Sequence, residues 1–297
     1  MDWKSKRVRA LLEAALVEDR ATQDVTTQLT IPRGLRATGT IVANQPCIIA
    51  GLGSVQALFE VFGKLVATEK DPERRFEVVH HPEIFDGVRV KKGQTVAVIR
   101  HHADAILSTE RVMLNLLQRM CGIATVTNEF VKAVAGTQCK IVDTRRTVPG
   151  LRALDKYAVL CGGGVSHRND LRDGILIKAN HIALGGGLTK ALENAERGKK
   201  PGQRPEVEVA NQDELDEALK AGAEAIILEG MTVAAVKKSV KQIRDTRPGI
   251  EIEAGGAMTL DNVRSYALTG VDFVSVGALT QSTAAADLSM RVTANVF

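Results

Sequence analysis

The sequence predicts a chain of the α/β class, in which a mixed N-terminal region precedes a run of parallel strands joined by helices. Three observations support this prediction. Short apolar segments alternate with amphipathic segments from residue 140 onwards, and such alternation is typical of βαβ units because parallel neighbours need a crossover connection. Residues 1–105 lack this regular alternation. The length of 297 residues allows one large domain or two, since a domain commonly has about 100–200 residues.

The N-terminal region begins with a predicted helix at residues 7–19, where apolar residues recur at helical spacing. Short apolar runs bounded by turn residues predict strands at 37–43, 47–50 and 76–79 and a helix at 53–62. Residues 87–100 alternate apolar and polar side chains around Lys92 and Gly93, a pattern that predicts a β-hairpin. These elements indicate a mixed α+β domain.

The pattern changes at Asp104. A long amphipathic helix is predicted at 105–121, and residues 122–125 separate it from a second helix at 127–135. The strands that follow are predicted at 140–143, 175–178, 206–210, 225–228, 250–253 and 272–276, and the helices at 150–160, 187–197, 212–221, 232–246 and 259–269. Residues 158–160 would add a seventh strand if they were extended. Six or seven strands are fewer than the eight of a full barrel, so an incomplete barrel and an open doubly wound sheet both fit the pattern.

The composition argues against several classes of protein. The net charge is +4, aromatic residues make up 3%, and the basic residues form no long run, so we expect no nucleic-acid partner. The four cysteines show neither a Cys-x-x-Cys pair nor zinc-ligand spacing. The first residues lack the apolar core of a signal peptide, and no apolar run approaches the roughly 18 residues of a transmembrane helix. The sequence therefore predicts a cytoplasmic protein with reduced thiols and no membrane partner.

Cationic side chains collect beside glycines and predicted strand ends between residues 140 and 181. They are Arg145, Arg146, Arg152, Lys156, His167, Arg168, Lys178 and His181. Ligands of α/β proteins bind where parallel strands end. Because these cations follow strand ends and do not spread along one helix face, we interpret them as the lining of a pocket for a polyanion. A solvated basic surface, where most lysines and arginines lie, is the alternative.

Carboxylates lie at or near the ends of four of the predicted strands, namely Asp143, Glu208, Glu229 and Glu253. Carboxylates beside a cationic pocket are suited to hold a metal ion or to stabilise developing positive charge. Magnesium commonly takes one or two protein carboxylates and completes its shell with phosphate oxygens and water. Ion pairing with the neighbouring cations is the alternative for any single residue, and it is less favoured for Glu208 and Glu229 acting together.

Small residues follow the last two predicted strands. Gly255-Gly256-Ala257 lies between a strand and a helix, and Gly277-Ala278 follows the last strand. Such residues let backbone N–H groups approach an anion, and a phosphate held between the last two strand loops is a common barrel arrangement. We therefore predict a phosphate site here, with simple turns as the alternative. The glycine triplet at 162–164 predicts either a flexible loop or a second anion site.

Taken in order, these motifs resemble the quinolinate phosphoribosyltransferase family, also called the carboxylating nicotinate-nucleotide pyrophosphorylases. The similarity runs from Leu11 nearly to the last residue. Its most specific parts are residues 110–115, 122–125, 143–145, 149–152, 156–159, 162–164, 167–168, 176–178 and 180–181. The ordered combination is far more specific than any lone glycine motif.

The resemblance implies an N-terminal α/β sandwich followed by an incomplete α/β barrel of six to seven strands. We accordingly assign residues 1–112 to the first domain and 113–280 to the second, and we expect the tail at 281–297 to pack on the first. The resemblance also implies the reaction of quinolinate with phosphoribosyl diphosphate, which gives nicotinate mononucleotide, diphosphate and CO2. Magnesium is the implied cofactor, and a homodimer or hexamer is the implied assembly.

The resemblance also assigns roles to individual residues. The implied substrate ligands are Arg111, Arg145, Arg146, His167, Arg168, Lys178, Gly255, Gly256, Ala257, Gly277 and Ala278. The implied catalytic residues are Lys178, Glu208 and Glu229, and the two glutamates are implied to hold magnesium directly or through water. Arg111 matches an arginine that the family donates to the active site of the neighbouring subunit.

Three positions depart from the usual pattern of the family. Arg146 stands where the family usually has lysine, Glu229-Gly230 where it has Asp-Asn, and residues 255–257 where it has Ser-Gly-Gly. Two other functions are therefore weighed: a related phosphoribosyltransferase with a different acceptor, and a non-catalytic protein that binds a sugar phosphate or a dicarboxylate. The presence of both Glu208 and Lys178 favours an enzyme over the binding protein.

Overall fold

The computed structural model describes residues 1–67 and 75–295. The chain forms two compact units. The first contains Met1–Val126, Val148–Gly163 and the segment from Thr283, and the second contains Thr127–Thr147 and Gly164–Ser282. The domain boundary at residues 112 and 113 stays a prediction. None of the helices within the described residues is long and apolar enough to span a membrane.

The first unit is built on a four-stranded antiparallel sheet. Its strands are β1 (Arg36–Ala43), β3 (Glu77–Val79), β5 (Thr95–His102) and β12 (Leu288–Ala294), in the order β12-β1-β5-β3. Buried and partly exposed residues alternate along β1, as expected for a strand with one face on the core. The pairing of β12 with β1 brings the C-terminal segment into this sheet.

Helices cover the core of the first unit. They are α1 (Lys6–Glu18), a short 3-10 helix (Ala21–Gln23), α2 (Val25–Thr30), α3 (Leu52–Val66) and α5 (Arg152–Cys161). Helix α1 packs against α3, and their apolar faces place Leu12, Leu16 and Phe59 in fully buried positions. Because residues 158–160 lie in α5, the possible seventh strand is excluded.

Two local predictions for the first unit are wrong. The predicted hairpin at 87–100 contains two strands, β4 (Arg89–Val90) and β5, but β4 pairs with β2 (Cys47–Ile48), and β5 pairs with β1 and β3. The two strands predicted from the alternating side chains are present, but each pairs with a strand from a distant part of the sequence and not with the other. The predicted break at 122–125 is also absent, because one helix, α4, runs without interruption over Ala103–Ala133.

Gly122 explains the second error. A methyl group at this position would collide with the carbonyl oxygen of Ala284. The glycine therefore allows the C-terminal segment to cross the helix closely, and it does not end the helix. A glycine inside a helical pattern can mark the end of the helix, or it can allow another segment to pack closely against the helix. Gly122 is an example of the second case.

The second unit contains the six strands that the sequence predicts. They are β6 (Lys140–Val142), β7 (Ile175–Ile177), β8 (Pro205–Val209), β9 (Ala225–Glu229), β10 (Glu251–Gly255) and β11 (Phe273–Ser275), in the order β6-β11-β10-β9-β8-β7. Every pair is parallel. The last strand, β11, pairs with the first, β6, as in a barrel, and Val165 forms one isolated parallel bridge with Val142 of β6. Strands β6 and β7 stand at the two ends of the strand order and do not pair with each other. This arrangement confirms the incomplete α/β barrel.

Helices follow the strands of the second unit. They are α6 (Ala179–Gly185), α7 (Leu188–Gly198), α8 (Gln212–Lys220), α9 (Val233–Thr246), α10 (Leu260–Ala267) and α11 (Ala278–Gln281). The side chains of Asn211 and Thr232 accept hydrogen bonds from backbone N–H groups in the first turns of α8 and α9, which fixes where these helices begin. Four of the five residues of β9 are buried, as expected for a strand covered on both faces. The strands therefore hold their carboxyl ends in fixed positions.

Candidate active site

The carboxyl ends of the barrel strands surround a cavity of about 300 Å³ in the second unit. Its lining contains Asp143, Thr144, Arg145, Arg146, His167, Arg168, Leu176, Lys178, Glu208, Ile227, Glu229, Glu253, Gly256, Ser275 and Gly277. Parallel strands place all their carboxyl ends at one edge of the sheet, so residues far apart in sequence converge there. The structure thus brings together five of the eight predicted cations, Arg145, Arg146, His167, Arg168 and Lys178, and the four strand-end carboxylates. We call this space the carboxyl-end cavity.

Two arginines in the carboxyl-end cavity lie close enough to repel each other. Burial lowers the pKa of the Arg168 guanidinium, and the charge of Arg145 lowers it further. The Nε atom of Arg145 is buried and has no hydrogen-bond partner within the described residues. Buried donors are normally paired. An anion bound here could accept from Arg145 Nε and offset the charges of both guanidiniums.

Arg146 lies on a loop that the neighbouring elements hold in place. Its backbone N–H donates to Thr144 Oγ1 at 3.0 Å, and its carbonyl oxygen accepts from Thr280 Oγ1 at 2.7 Å. A Cβ atom added at Gly277 would lie 3.0 Å from Arg146 Cδ, so the glycine gives the arginine side chain room to pass. The small size of residue 277 therefore allows the side chain of Arg146 to pack beside it.

Lys178 and the glutamates Glu208 and Glu229 line the same cavity. Lys178 Nζ donates to Glu208 Oε2 at 2.6 Å. Burial raises the pKa of the Glu229 carboxyl, and the negative charge of Glu208 raises it further, whereas Lys178 and Arg146 lower it. The pair Glu208 and Glu229 therefore places negative charge beside the cations Lys178 and Arg146.

Asp143 holds the segment 165–167 in place through hydrogen bonds. Its carboxylate is fully buried and accepts hydrogen bonds from the backbone N–H of His167 at 2.8 Å and from Ser166 Oγ at 3.0 Å. These bonds tie the segment 165–167 to the end of β6. Asp143 thereby positions His167 and Arg168, which follow directly in the chain.

His167 faces two carboxylates in the interior of the barrel. Its Nε2 atom lies 3.1 Å from Glu206 Oε2 and 3.5 Å from Glu253 Oε2, and its Nδ1 atom accepts from the backbone N–H of Arg168 at 2.7 Å. The interaction with Glu206 is the largest cause that raises the pKa of His167, while burial lowers it. Burial raises the pKa of Glu253 to about 7, against the opposing effect of His167.

Glu206 is a charged residue beside His167 that none of the motifs above predicts. A usable signal was present, because Glu206 and Glu208 are two residues apart in β8 and side chains of a strand point to the same face at that spacing. Once Glu208 was assigned to the interior, the same assignment followed for Glu206.

Glycines bring the ends of β9 and β10 close together. Gly255 is paired in register with Glu229, and Glu229 Oε2 occupies the space where a Cβ atom of residue 255 would lie. Gly256 has a φ of +132°, and a Cβ atom there would lie 3.3 Å from Gly230 Cα. The backbone N–H of Gly230 donates to the carbonyl oxygen of Gly255 at 3.0 Å. Of the predicted phosphate loops, Gly256 and Gly277 line the cavity, while Ala257 and Ala278 are exposed.

The remaining cations of the sequence analysis lie elsewhere. His181 lines an adjoining cavity of about 440 Å³ together with Arg145, Arg168 and Lys178, and its Nδ1 atom accepts from the backbone N–H of Lys178 at 3.0 Å. Arg111 is exposed on α4 and belongs to the first unit. Arg152 and the buried Lys156 also belong to the first unit.

The chain is similar to known proteins over almost its whole length. It is 42% identical to the carboxylating nicotinate-nucleotide pyrophosphorylase of Mycobacterium leprae over 97% of this chain and 98% of that protein. It is 38% identical to the probable carboxylating nicotinate-nucleotide pyrophosphorylase of Bacillus subtilis, over 97% and 94%. A crystal structure of nicotinate-nucleotide pyrophosphorylase from Ehrlichia chaffeensis matches with a TM-score of 0.84 and 33% identity, covering 96% of this chain and 98% of the other.

Family models give the same result for both parts of the chain. Residues 24–121 match the N-terminal domain of quinolinate phosphoribosyl transferase. Residues 123–291 match the C-terminal domain of quinolinate phosphoribosyl transferase. The chain therefore belongs to the quinolinate phosphoribosyl transferase family.

Proposed function

We propose that this protein transfers the phosphoribosyl group of phosphoribosyl diphosphate to quinolinate, with loss of CO2, to give nicotinate mononucleotide and diphosphate. The observation that carries the proposal is the charge arrangement of the carboxyl-end cavity. Arg145, Arg146 and Arg168 lie in the same cavity as Lys178 and the pair Glu208 and Glu229. One cavity thus offers binding groups for anions and negative charge for a cationic transition state.

The arginines are suited to the acceptor. Quinolinate carries two carboxylates on a flat ring, and planar guanidinium groups bind carboxylates through two parallel hydrogen bonds. Arg145 and Arg168 repel each other without a ligand, so a dianion would relieve this repulsion and supply acceptors for the buried Nε of Arg145. His167 would line the acceptor site beside them; its backbone N–H donates to Asp143, and its Nε2 faces Glu206 and Glu253.

The glutamates are suited to the transfer step. When diphosphate leaves, the ribosyl carbon develops positive charge, and fixed carboxylates stabilise such charge without reorganisation. Glu208 and Glu229 would act in this way, and Lys178, which already pairs with Glu208 at 2.6 Å, would neutralise the departing diphosphate. The ring nitrogen of quinolinate attacks the ribosyl carbon, CO2 leaves from the neighbouring ring carbon, and a proton takes its place.

Glu208 and Glu229 also fit magnesium. The described residues contain no group of three or more His, Cys, Asp or Glu side chains suited to a metal ion, so the protein offers no complete cage. The negative charge of Glu208 raises the pKa of the neighbouring Glu229, and two such carboxylates suit a cation held jointly with a substrate phosphate. Bound there, magnesium would offset the charge of the diphosphate.

The assembly and the location of the protein are further parts of the proposal. We propose a homodimer or hexamer in which Arg111 of one subunit enters the active site of its neighbour, since Arg111 is exposed on α4. The residues of the two strand loops, Gly255–Ala257 and Gly277–Ala278, would hold the ribose phosphate. We propose the cytoplasm as the location.

Product formation tests the proposal directly. We expect CO2 and nicotinate mononucleotide from quinolinate and phosphoribosyl diphosphate, in amounts that depend on magnesium. Nicotinate in place of quinolinate should give little product, because it lacks the second carboxylate. Product from nicotinate or from another acceptor alone would assign the protein to a related phosphoribosyltransferase. Binding of both substrates without release of diphosphate would indicate a non-catalytic binding protein.

A further inference from the structure

At the ends of β9 and β10, the side chain of Glu229 occupies the space that a side chain of residue 255 would fill, and residue 255 is glycine. Glu229 and Gly255 are the last residues of their strands and are partners in the parallel register. Side chains of such partners point to the same face of the sheet. Glu229 is large and Gly255 has no side chain, so the carboxylate of Glu229 bends over the backbone of Gly255. A Cβ atom at residue 255 would overlap with Glu229 Oε2 and lie 3.3 Å from Glu229 Cδ.

The backbone conformation does not explain why residue 255 is glycine. Gly255 is not among the glycines with a positive φ, so alanine would be compatible with its backbone. The neighbouring residues Gly230 and Gly256 do have positive φ values. The contact with Glu229 is therefore the feature that distinguishes Gly255 within this loop.

The backbone around Gly255 is also held in place. Its carbonyl oxygen accepts from the backbone N–H of Gly230 at 3.0 Å, and Gly256 packs against Gly230. A methyl group at residue 255 would consequently displace the flexible end of the Glu229 side chain and leave the strand unmoved. The electrostatic surroundings make that displacement matter, because Glu229 interacts with Lys178, Arg146 and Glu208 at its present position.

We propose that Gly255 is a positioning residue for Glu229, and that the absence of a side chain at residue 255 sets where the carboxylate of residue 229 acts in the carboxyl-end cavity. The inference rests on the proposed phosphoribosyl transfer for the role of Glu229. The contact itself does not depend on that function. Residues 229 and 255 thus form a size-matched pair, in which the effect of a change at one position depends on the side chain at the other.

Gly255→Ala and Glu229→Asp, singly and combined, test the proposal. In the parent chain we expect Gly255→Ala to lower kcat/KM for phosphoribosyl diphosphate by about tenfold, since the methyl group displaces the carboxylate. In the Glu229→Asp background the shorter side chain leaves the space empty, so the same change should cost less than about twofold. Gly249→Ala is the matched control. It precedes β10 in the same unit, has no positive φ and would meet no atom within 4 Å, so it should leave kcat/KM unchanged.

Equal losses from Gly255→Ala in both backgrounds would overturn the proposal. A general structural defect is distinguished by the melting temperature and by the dependence of the effect on residue 229. Crystal structures of the parent and of Gly255→Ala give a second readout that needs no activity. A carboxylate that has moved away from residue 255 supports the proposal, and one that stays at its original place overturns it. A parent chain that forms no nicotinate mononucleotide would refute the proposed function, while the crystallographic comparison would still decide this inference.

Discussion

Glu229 combines partial burial with a high local charge density. Burial and Glu208 both raise the pKa of its carboxyl, whereas Lys178 and Arg146 oppose that shift. A carboxylate held in such a place stabilises a neighbouring positive charge more strongly than one in water, because water screens it less. The proposed role of Glu229 requires the ionised carboxylate, which the charges of Lys178 and Arg146 favour.

Glu229→Gln removes this charge and keeps the size of the side chain. We expect turnover to fall more than tenfold in a steady-state assay with quinolinate and phosphoribosyl diphosphate, since an amide cannot stabilise the ribosyl cation to the same extent. Glu224→Gln is the control, because this exposed residue precedes the same strand at its other end. Turnover equal to that of the parent would remove Glu229 from the mechanism.

Glu253 couples the stability of the fold to pH. Its pKa is raised from 4.5 to about 7 by burial, so its contribution to the free energy of unfolding is fully present below about pH 4.5 and is lost as the pH rises through about 7. The pKa of His167 is also raised in the folded protein, so His167 likewise stabilises the fold more at low pH than at high pH. The buried pair therefore favours the folded state at mildly acidic pH.

Glu253→Gln should remove most of the contribution of Glu253 to the pH dependence of the free energy of unfolding. Compared with the parent, we expect the variant to gain about 2 kcal/mol in the free energy of unfolding near pH 8, and much less near pH 5. Urea unfolding at the two pH values measures the difference. The same gain at both pH values would contradict the raised pKa of Glu253. Glu224→Gln should show no such gain at either pH.

At the scale of elements, α4 shows that one glycine can serve tertiary packing inside a helix. Gly122→Ala would raise the helix propensity by up to about 1 kcal/mol, but its methyl group would meet the carbonyl oxygen of Ala284. Because that obstacle is backbone, we expect a net loss of about 1–3 kcal/mol in the free energy of unfolding.

Gly63→Ala in α3 is the matched control for Gly122→Ala. It lies within a helix, and an added Cβ would meet no atom within 4 Å, so the variant should be as stable as the parent or slightly more stable. Urea midpoints of the two variants measure the contrast. A stabilising Gly122→Ala would show that the C-terminal segment does not pack on the helix as described.

The elements differ in how far the sequence predicts them. The six barrel strands are predicted within two residues at each end. Four of them are short apolar runs next to polar residues, whereas β8 and β10 alternate glutamate with apolar residues, a period of two that is typical of a strand. The strand partners of β4 and β5 could not be predicted in the same way. Strand β4 pairs with β2 and β5 pairs with β1, and both partners are distant in sequence. Helix α6 was missed because its residues are mostly exposed and lack an apolar periodicity.

The candidate site was predictable at the level of charge and not at the level of contacts. Arg145 and Lys178 follow predicted strands, Arg168 follows the glycine triplet, and Glu208 lies near the end of its strand. These positions are sufficient to expect that the four residues share one cavity, as they do. The fit of Glu229 over Gly255 depends on the register between two strands, which no local pattern contains.

At the scale of the whole molecule, Arg111 gives a test of the proposed assembly. If each active site combines Arg145 of one subunit with Arg111 of its neighbour, chains carrying Arg111→Ala or Arg145→Ala should each be nearly inactive alone. Mixed and allowed to exchange, they should form hybrid dimers with one intact site and one doubly altered site. Random exchange makes half of the dimers hybrids, so about one quarter of the parent activity should return. Native mass spectrometry of differently tagged chains confirms that exchange has occurred. Exchange without recovered activity would place Arg111 outside the neighbouring site, whereas recovery would show that a single chain cannot complete the carboxyl-end cavity.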